Sequence, residues 1–149
     1  MTQKYICFFG HPTKINAKLS DFQAILNSAR RTLELESHAL LGLIPLLDDE
    51  FALAVQHIHR SKSRVVVTGI GKSAIIAQKI VATMNSTGTP SIFMHAADAI
   101  HGDLGNIQKE DVVICISKSG NTPEIKVLVP LIQNYGNNLI ALTGNPDSF

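Results

Sequence analysis

Apolar positions along the chain change texture near residue 64, and that change predicts the architecture. Before it, Phe22, Ile25, Leu26, Ala29 and Leu33 recur at three- and four-residue spacing, the signature of an amphipathic helix. Ser20-Asp-Phe-Gln23 fits a capping box at its start, and the pattern runs to about Gly42. Pro45 predicts a break, because proline lacks a backbone donor and clashes with the preceding turn. Asp48, Asp49 and Glu50 predict a second helix start, since carboxylates suit the positive end of the helix dipole. Phe51, Val55 and Ile58 supply its apolar stripe.

From Arg64 onward the apolar residues fall in short unbroken runs: Val65-Val-Val67, Ser91-Ile-Phe-Met94, Val112-Val-Ile-Cys-Ile116 and Leu139-Ile-Ala-Leu142. Continuous runs, rather than alternating ones, are what strands covered on both faces look like. Helical segments are predicted between them, near residues 73–85 and 123–134. The first carries Ile76, Ile80 and Met84 on one face. The second has Thr122 as N-cap, Pro123 at its first position and Gly136 at its stop, with a kink or local repair expected at Pro130. Alternation of strand and helix predicts an α/β fold with a doubly wound parallel sheet. Ligands of such sheets bind at the carboxyl ends of the strands. Residues 1–19 show no clear period and are read as an N-terminal arm, with residues 20–149 as one domain. No helix follows the last apolar run before Phe149, so the domain is expected to be incomplete at its C-terminus.

Composition narrows the function. The 149 residues are 45% hydrophobic and 17% charged, enough for a buried core and unlike a disordered chain. A net charge of +1 builds no basic field, so no nucleic-acid partner is expected. Tyr5–Phe9 is apolar but far too short to span a bilayer, so no membrane partner is expected either. Cys7 and Cys115 lie far apart and form no metal or disulfide framework. Cys115, inside an apolar run, reads as a reduced core thiol, which points to the cytoplasm.

Three stretches can carry chemistry. Gly69-Ile-Gly-Lys-Ser73 follows a strand and opens a helix. A nucleotide P-loop requires glycine where Val66 stands. A dinucleotide site requires an acidic residue where Phe93, Met94 and His95 stand. What remains is a glycine turn that projects Lys72 at the carboxyl edge. Ser117-Lys-Ser-Gly-Asn-Thr122 again joins a strand to a helix start. Its hydroxyls, its glycine and the free helix N–H groups suit a phosphate dianion; the plainer alternative is a polar turn with an ordinary cap. Glu124 follows in the first turn, where dipole compensation alone would also explain it. In His95-Ala-Ala-Asp-Ala-Ile-His-Gly-Asp103 the histidines are six apart, which is not one helix face, so His101 reads as a hydrogen-bonding site residue rather than a metal ligand. Thr83–Pro90 reads as a helix exit and polar loop.

In order along the chain, Gly69-x-Gly-Lys-Ser73, Ser86-Thr-Gly-Thr-Pro90, Phe93-x-His95, Ala99-x-His-Gly-Asp-Leu-Gly105 and Ser117-x-Ser-Gly-x-Thr-x-Glu124 together resemble the sugar isomerase (SIS) domain of bacterial arabinose 5-phosphate isomerases. The resemblance covers residues 21 to 149. It implies a five-stranded flavodoxin-like sheet preceded by helices, a homotetramer, and no cofactor. It implies interconversion of D-ribulose 5-phosphate and D-arabinose 5-phosphate, feeding synthesis of Kdo for lipopolysaccharide or of a capsule. Catalytic roles would fall on Lys72, Glu124 and His101. Sugar-phosphate contacts would fall on Gly88, Thr89 and His95, beside Ser117, Ser119 and Thr122, and His95 would be a point of inhibitory zinc binding. The family carries His-Pro-x-Glu where this chain has His95-Ala-Ala-Asp98, and a second glutamate and a His-Pro-Gly-Gly histidine beyond residue 149. The alternatives are a sugar-phosphate-binding module without catalysis and a truncated pseudo-enzyme.

Overall fold

The computed structural model describes residues 19–149, so the expected arm up to residue 18, with Tyr5–Phe9 and Cys7, lies outside the described residues, and Leu19 at its end is already helical. Two compact units divide at Leu47–Asp48, just past the Pro45 break. The first holds helix α1 (Leu19–Leu41) and a 3-10 turn over Ile44–Leu46 with Pro45 in its opening positions. Because α1 begins at Leu19, Ser20 stands in the first turn rather than ahead of it as the expected cap.

In the second unit, helix α2 (Asp49–Arg60) starts where the acidic triplet predicts, and the Asp48 carboxylate caps it by accepting from the Phe51 amide at 3.1 Å. Then follow β1 (Val65–Gly69), α3 (Lys72–Ser86), β2 (Ser91–His95), α4 (Ala96–Ile100), β3 (Val112–Ser117), α5 (Pro123–Tyr135) and β4 (Asn138–Thr143). All strand pairs are parallel, in the order β2-β1-β3-β4. Val65, Val67, Ile114 and Ile116 face Ile58 of α2 and Ile80, Val81 and Met84 of α3. Val66, Val113 and Cys115 face Ala96 and Ala99 of α4 and Ile125, Leu128 and Ile132 of α5. The central strands β1 and β3 are therefore covered on both sides, as their unbroken apolar runs predicted, whereas β4 at the edge is largely exposed, with Leu142 53% exposed. Each fully buried Val, Leu or Ile contributes about 2 kcal/mol.

Several local expectations are corrected. Ile76 is 53% exposed, because α3 meets the sheet through Ala74 and Ala77, small residues that let helix and strand approach closely. On α2, Phe51 and Val55 are exposed, and of its stripe Ile58 packs on the sheet. Helix α5 runs on through Pro130 and stops at Gly136, which is left-handed as expected. The short α4 and a 3-10 turn over Asp103–Asn106 fill a stretch in which the sequence predicted no element.

The amino end of the sheet is tied by one buried carboxylate. Asp111 accepts from the Ser63 hydroxyl at 2.6 Å, the Gln108 amide at 2.8 Å and Arg64 Nε at 3.2 Å. Asn137 donates to the carbonyls of Gln108, Lys109 and Asp111 at 2.8, 3.2 and 3.0 Å. The entries of β1, β3 and β4 are thus joined. Burial alone would raise the Asp111 pKa. The hydrogen bonds from Ser63, Gln108 and Arg64, with the Arg64 charge, outweigh it and hold the carboxyl below the usual range.

Candidate functional site

The carboxyl edge is aligned by strand register. Gly69 pairs with His95 on one side and Ile116 on the other, and Ser117 pairs with Thr143. Strands β1 and β3 are neighbours, about 4.8 Å apart. The chain order reverses at this pair, so the β1–α3 and β3–α5 loops leave the sheet side by side at its switch point.

The β1–α3 loop is tight because of Gly69. A Cβ there would stand 3.1 Å from the Ser73 carbonyl carbon and 3.2 Å from the Ile116 carbonyl oxygen. Without a side chain, α3 begins hard against the end of β3. Lys72 is the first residue of that helix, exposed, and in no ion pair among the described residues.

The β3–α5 loop folds around Ser117. Its buried hydroxyl shares a hydrogen bond with Thr122 Oγ1 at 2.9 Å and accepts from the Gly120 amide at 3.2 Å. Ser119, exposed, accepts from the Asn121 amide at 3.2 Å. Gly120 sits at φ +67°, a conformation other residues rarely adopt. Thr122 occupies the N-cap of α5 but makes no side-chain capping bond, contrary to expectation, because its hydroxyl is engaged by Ser117. The first-turn amides of α5 therefore lack a side-chain acceptor, and the loop offers several donors in one place. Glu124, half-buried, stands in that same turn.

Lys72, Ser117, Ser119, Thr122 and Glu124 thus lie on two adjacent loops. His95 ends β2 at the same edge, its ring edge-on to Phe93 and its Nδ1 3.8 Å from Asp98 Oδ2. His101 is exposed at the end of α4. Among the described residues no three His, Cys, Asp or Glu side chains gather to hold a metal ion. Gly88 and Thr89 precede β2 and stand at the amino end of the sheet. A five-residue strand separates them from His95, a distance of about 13–16 Å, so one chain does not bring them to the edge that carries Lys72 and Ser117.

The sequence assigned nothing to the turn after β4, yet it stands beside the hydroxyl loop. The Gly144 amide donates to the Lys118 carbonyl at 3.1 Å, and Ser148 lies against Gly120. The signal available was position alone: a turn at the carboxyl end of a strand in a parallel sheet.

Behind the loop, burial pushes the Cys115 thiol up to about 11. At pH 8 only about one thiol in a thousand is then ionised. Alkylation of Cys115 in the native protein is expected to be at least about a hundredfold slower than after unfolding, since the thiolate is the nucleophile and access is closed. Mass mapping of the modified peptide reads this at Cys115 separately from Cys7.

Residues 57–149 match the SIS domain. The arabinose 5-phosphate isomerase KdsD of Pseudomonas aeruginosa is 50% identical over 123 residues, which are 83% of this chain and 38% of that protein. A probable arabinose 5-phosphate isomerase of Haemophilus influenzae is 46% identical over 83% of this chain and 36% of its own length. The chain therefore spans under two-fifths of these curated relatives. A solved structure from Escherichia coli CFT073, in complex with arabinose 5-phosphate, superposes with a TM-score of 0.79 at 39% identity, covering 89% of this chain and 69% of that one. A doubly wound parallel sheet, a hydroxyl loop at its switch point and the match over residues 57–149 place this chain in the SIS domain family.

Proposed function

We propose that this chain carries the sugar-phosphate site of an aldose–ketose isomerase that interconverts D-ribulose 5-phosphate and D-arabinose 5-phosphate, for Kdo and lipopolysaccharide or capsule synthesis in the cytoplasm. One observation carries the reading: the Ser117–Thr122 hydroxyl loop and Lys72 flank the same switch point. Similarity to proteins named arabinose 5-phosphate isomerase supports the choice of sugar.

In this reading Ser117, Ser119 and Thr122, with the α5 amides, take the phosphate, which fixes the sugar in place. From aldose to ketose, isomerisation removes the proton on carbon 2 and delivers one to carbon 1. In the same sense, oxygen 2 loses its hydroxyl proton and oxygen 1 gains one. The Lys72 ammonium stabilises the enediolate oxygen that carries the charge between these steps. Glu124 and His101 are the polar groups assigned to the reacting end, and His95 contacts the sugar.

Gly88 and Thr89 support a homo-oligomer, and by resemblance a tetramer. If they touch the sugar bound at the carboxyl edge, a second copy must supply them, because within one chain a whole strand intervenes. Exposed Ile75 and Ile76, in the turn of α3 next to Lys72, are apolar surface suited to that contact.

The test is Ser119→Ala. Its hydroxyl is exposed, so the fold is expected to persist. Loss of one hydrogen bond to a charged phosphate should weaken sugar-phosphate binding about tenfold. Titration calorimetry with D-arabinose 5-phosphate measures this. Unchanged affinity in the folded variant would remove the loop from phosphate recognition, whereas binding without turnover in the whole gene product would make the chain a sugar-phosphate-binding module.

A further inference from the structure

The turn after β4 meets the hydroxyl loop at the one residue of that loop with a positive φ. Gly120 is buried, and a Cβ built on it would lie 1.9 Å from Ser148 Oγ, 2.3 Å from Ser148 Cβ and 3.0 Å from Thr143 Oγ1. The approaching turn is itself braced. Ser148 donates its hydroxyl to the Asn145 carbonyl at 2.7 Å and its amide to the same oxygen at 3.2 Å. The Asn145 amide donates to Thr143 Oγ1 at 3.2 Å, and the Asp147 amide to Asn145 Oδ1 at 3.2 Å. A backbone bond from the Gly144 amide to the Lys118 carbonyl, at 3.1 Å, anchors the turn to the other side of the loop. Lys118 and Gly120 bracket Ser119, and the Gly120 amide is the donor to Ser117 Oγ.

We propose that Gly144–Ser148 is a positioning clamp on the β3–α5 loop, with Ser148 as the positioning residue. It holds Gly120 in the left-handed conformation that keeps the Ser117, Ser119 and Thr122 hydroxyls preorganised. Ser148 acts through Gly120, by filling the space a side chain there would need. The consequence for phosphate affinity rests on the reading of this loop as the phosphate site, but the clamp itself does not.

The experiment is a mutant cycle between Gly120→Ala and Ser148→Gly, with Ser148→Ala as the conservative control. Inorganic phosphate and D-arabinose 5-phosphate serve as probes in the whole gene product. Gly120→Ala should weaken both about tenfold or more, because Cβ meets Ser148 in a backbone conformation already unfavourable for alanine. Ser148→Gly removes both near atoms, so the double variant should bind about threefold or more tighter than Gly120→Ala alone, the non-additivity expected of residues in contact. Ser148→Ala keeps the Cβ wall but loses the hydroxyl brace to Asn145, so it should weaken binding less than Ser148→Gly does. A double variant no tighter than Gly120→Ala would overturn the clamp. Without ligand, amide exchange at Gly120 and Asn121 should quicken about tenfold in Ser148→Gly and less in Ser148→Ala. Unchanged exchange in Ser148→Gly would also overturn the clamp. Quickened exchange in a protein whose parent form binds neither probe would instead uphold the clamp and sink the phosphate reading.

Discussion

Lys72→Ala is expected to lower kcat at least about a hundredfold, the scale of a lost contact to a developing oxyanion. Binding of the sugar phosphate should change far less, because the phosphate is assigned to the hydroxyl loop of the neighbouring strand. The expectation follows from placement. Gly69 lets α3 start against the end of β3, and Lys72, in no ion pair among the described residues, is the first residue of that start. An ammonium without a carboxylate partner keeps its field for a charge that appears during the reaction. The measurement is a coupled assay for ribulose 5-phosphate formation on the whole gene product, run beside a binding titration. Near-normal turnover would make Lys72 a solvated helix-start residue and return the role of the cation to another group.

The second large effect is on stability, at the opposite end of the sheet. Asp111→Asn should destabilise the fold by about 3 kcal/mol, the cost of breaking a buried and hydrogen-bonded charge pair on one side. Asparagine places a donor where the Ser63 hydroxyl, the Gln108 amide and Arg64 now converge as donors. The pH dependence has a definite sign. The folded Asp111 carboxyl titrates below its usual 3.8. Its contribution is therefore complete above the unfolded value and is lost as pH falls through the lower, folded one. Urea denaturation across the acid range should show a gap between parent and variant that narrows as Asp111 protonates. A variant with the parent's midpoint at neutral pH would show that the network adds nothing net.

The central strands β1 and β3 were legible in the sequence because burial on both faces leaves an unbroken apolar run, a signal that needs no partner to read. Helix boundaries were legible where chemistry is local: the acidic Asp48-Asp49-Glu50 at a start, Pro123 at a first turn, Gly136 at a stop. The failures share one cause, namely tertiary competition. Thr122 looks like a cap until Ser117, five residues earlier, takes its hydroxyl. Ile76 looks like core until Ala77 lets the helix sit closer on its other side. Nothing local marked Asp111, because its partners Ser63 and Arg64 stand nearly fifty positions away. For the candidate site, loop composition was readable and loop adjacency was not. That Lys72 and Ser117 stand on loops at one switch point follows from β1 lying beside β3, and that Gly88 stands a strand's length off follows from the direction of β2.

Gly69 has a genetic consequence. Its codon reaches only residues with a Cβ by any missense change, and each would press that atom on the backbone of Ser73 and Ile116. Accommodating it requires the neighbours to give by a few tenths of an ångström, which displaces the helix start that carries Lys72. A screen for lost function should therefore recover alleles at a codon whose residue carries no side chain, and suppressors of them should arise where α3 meets β3.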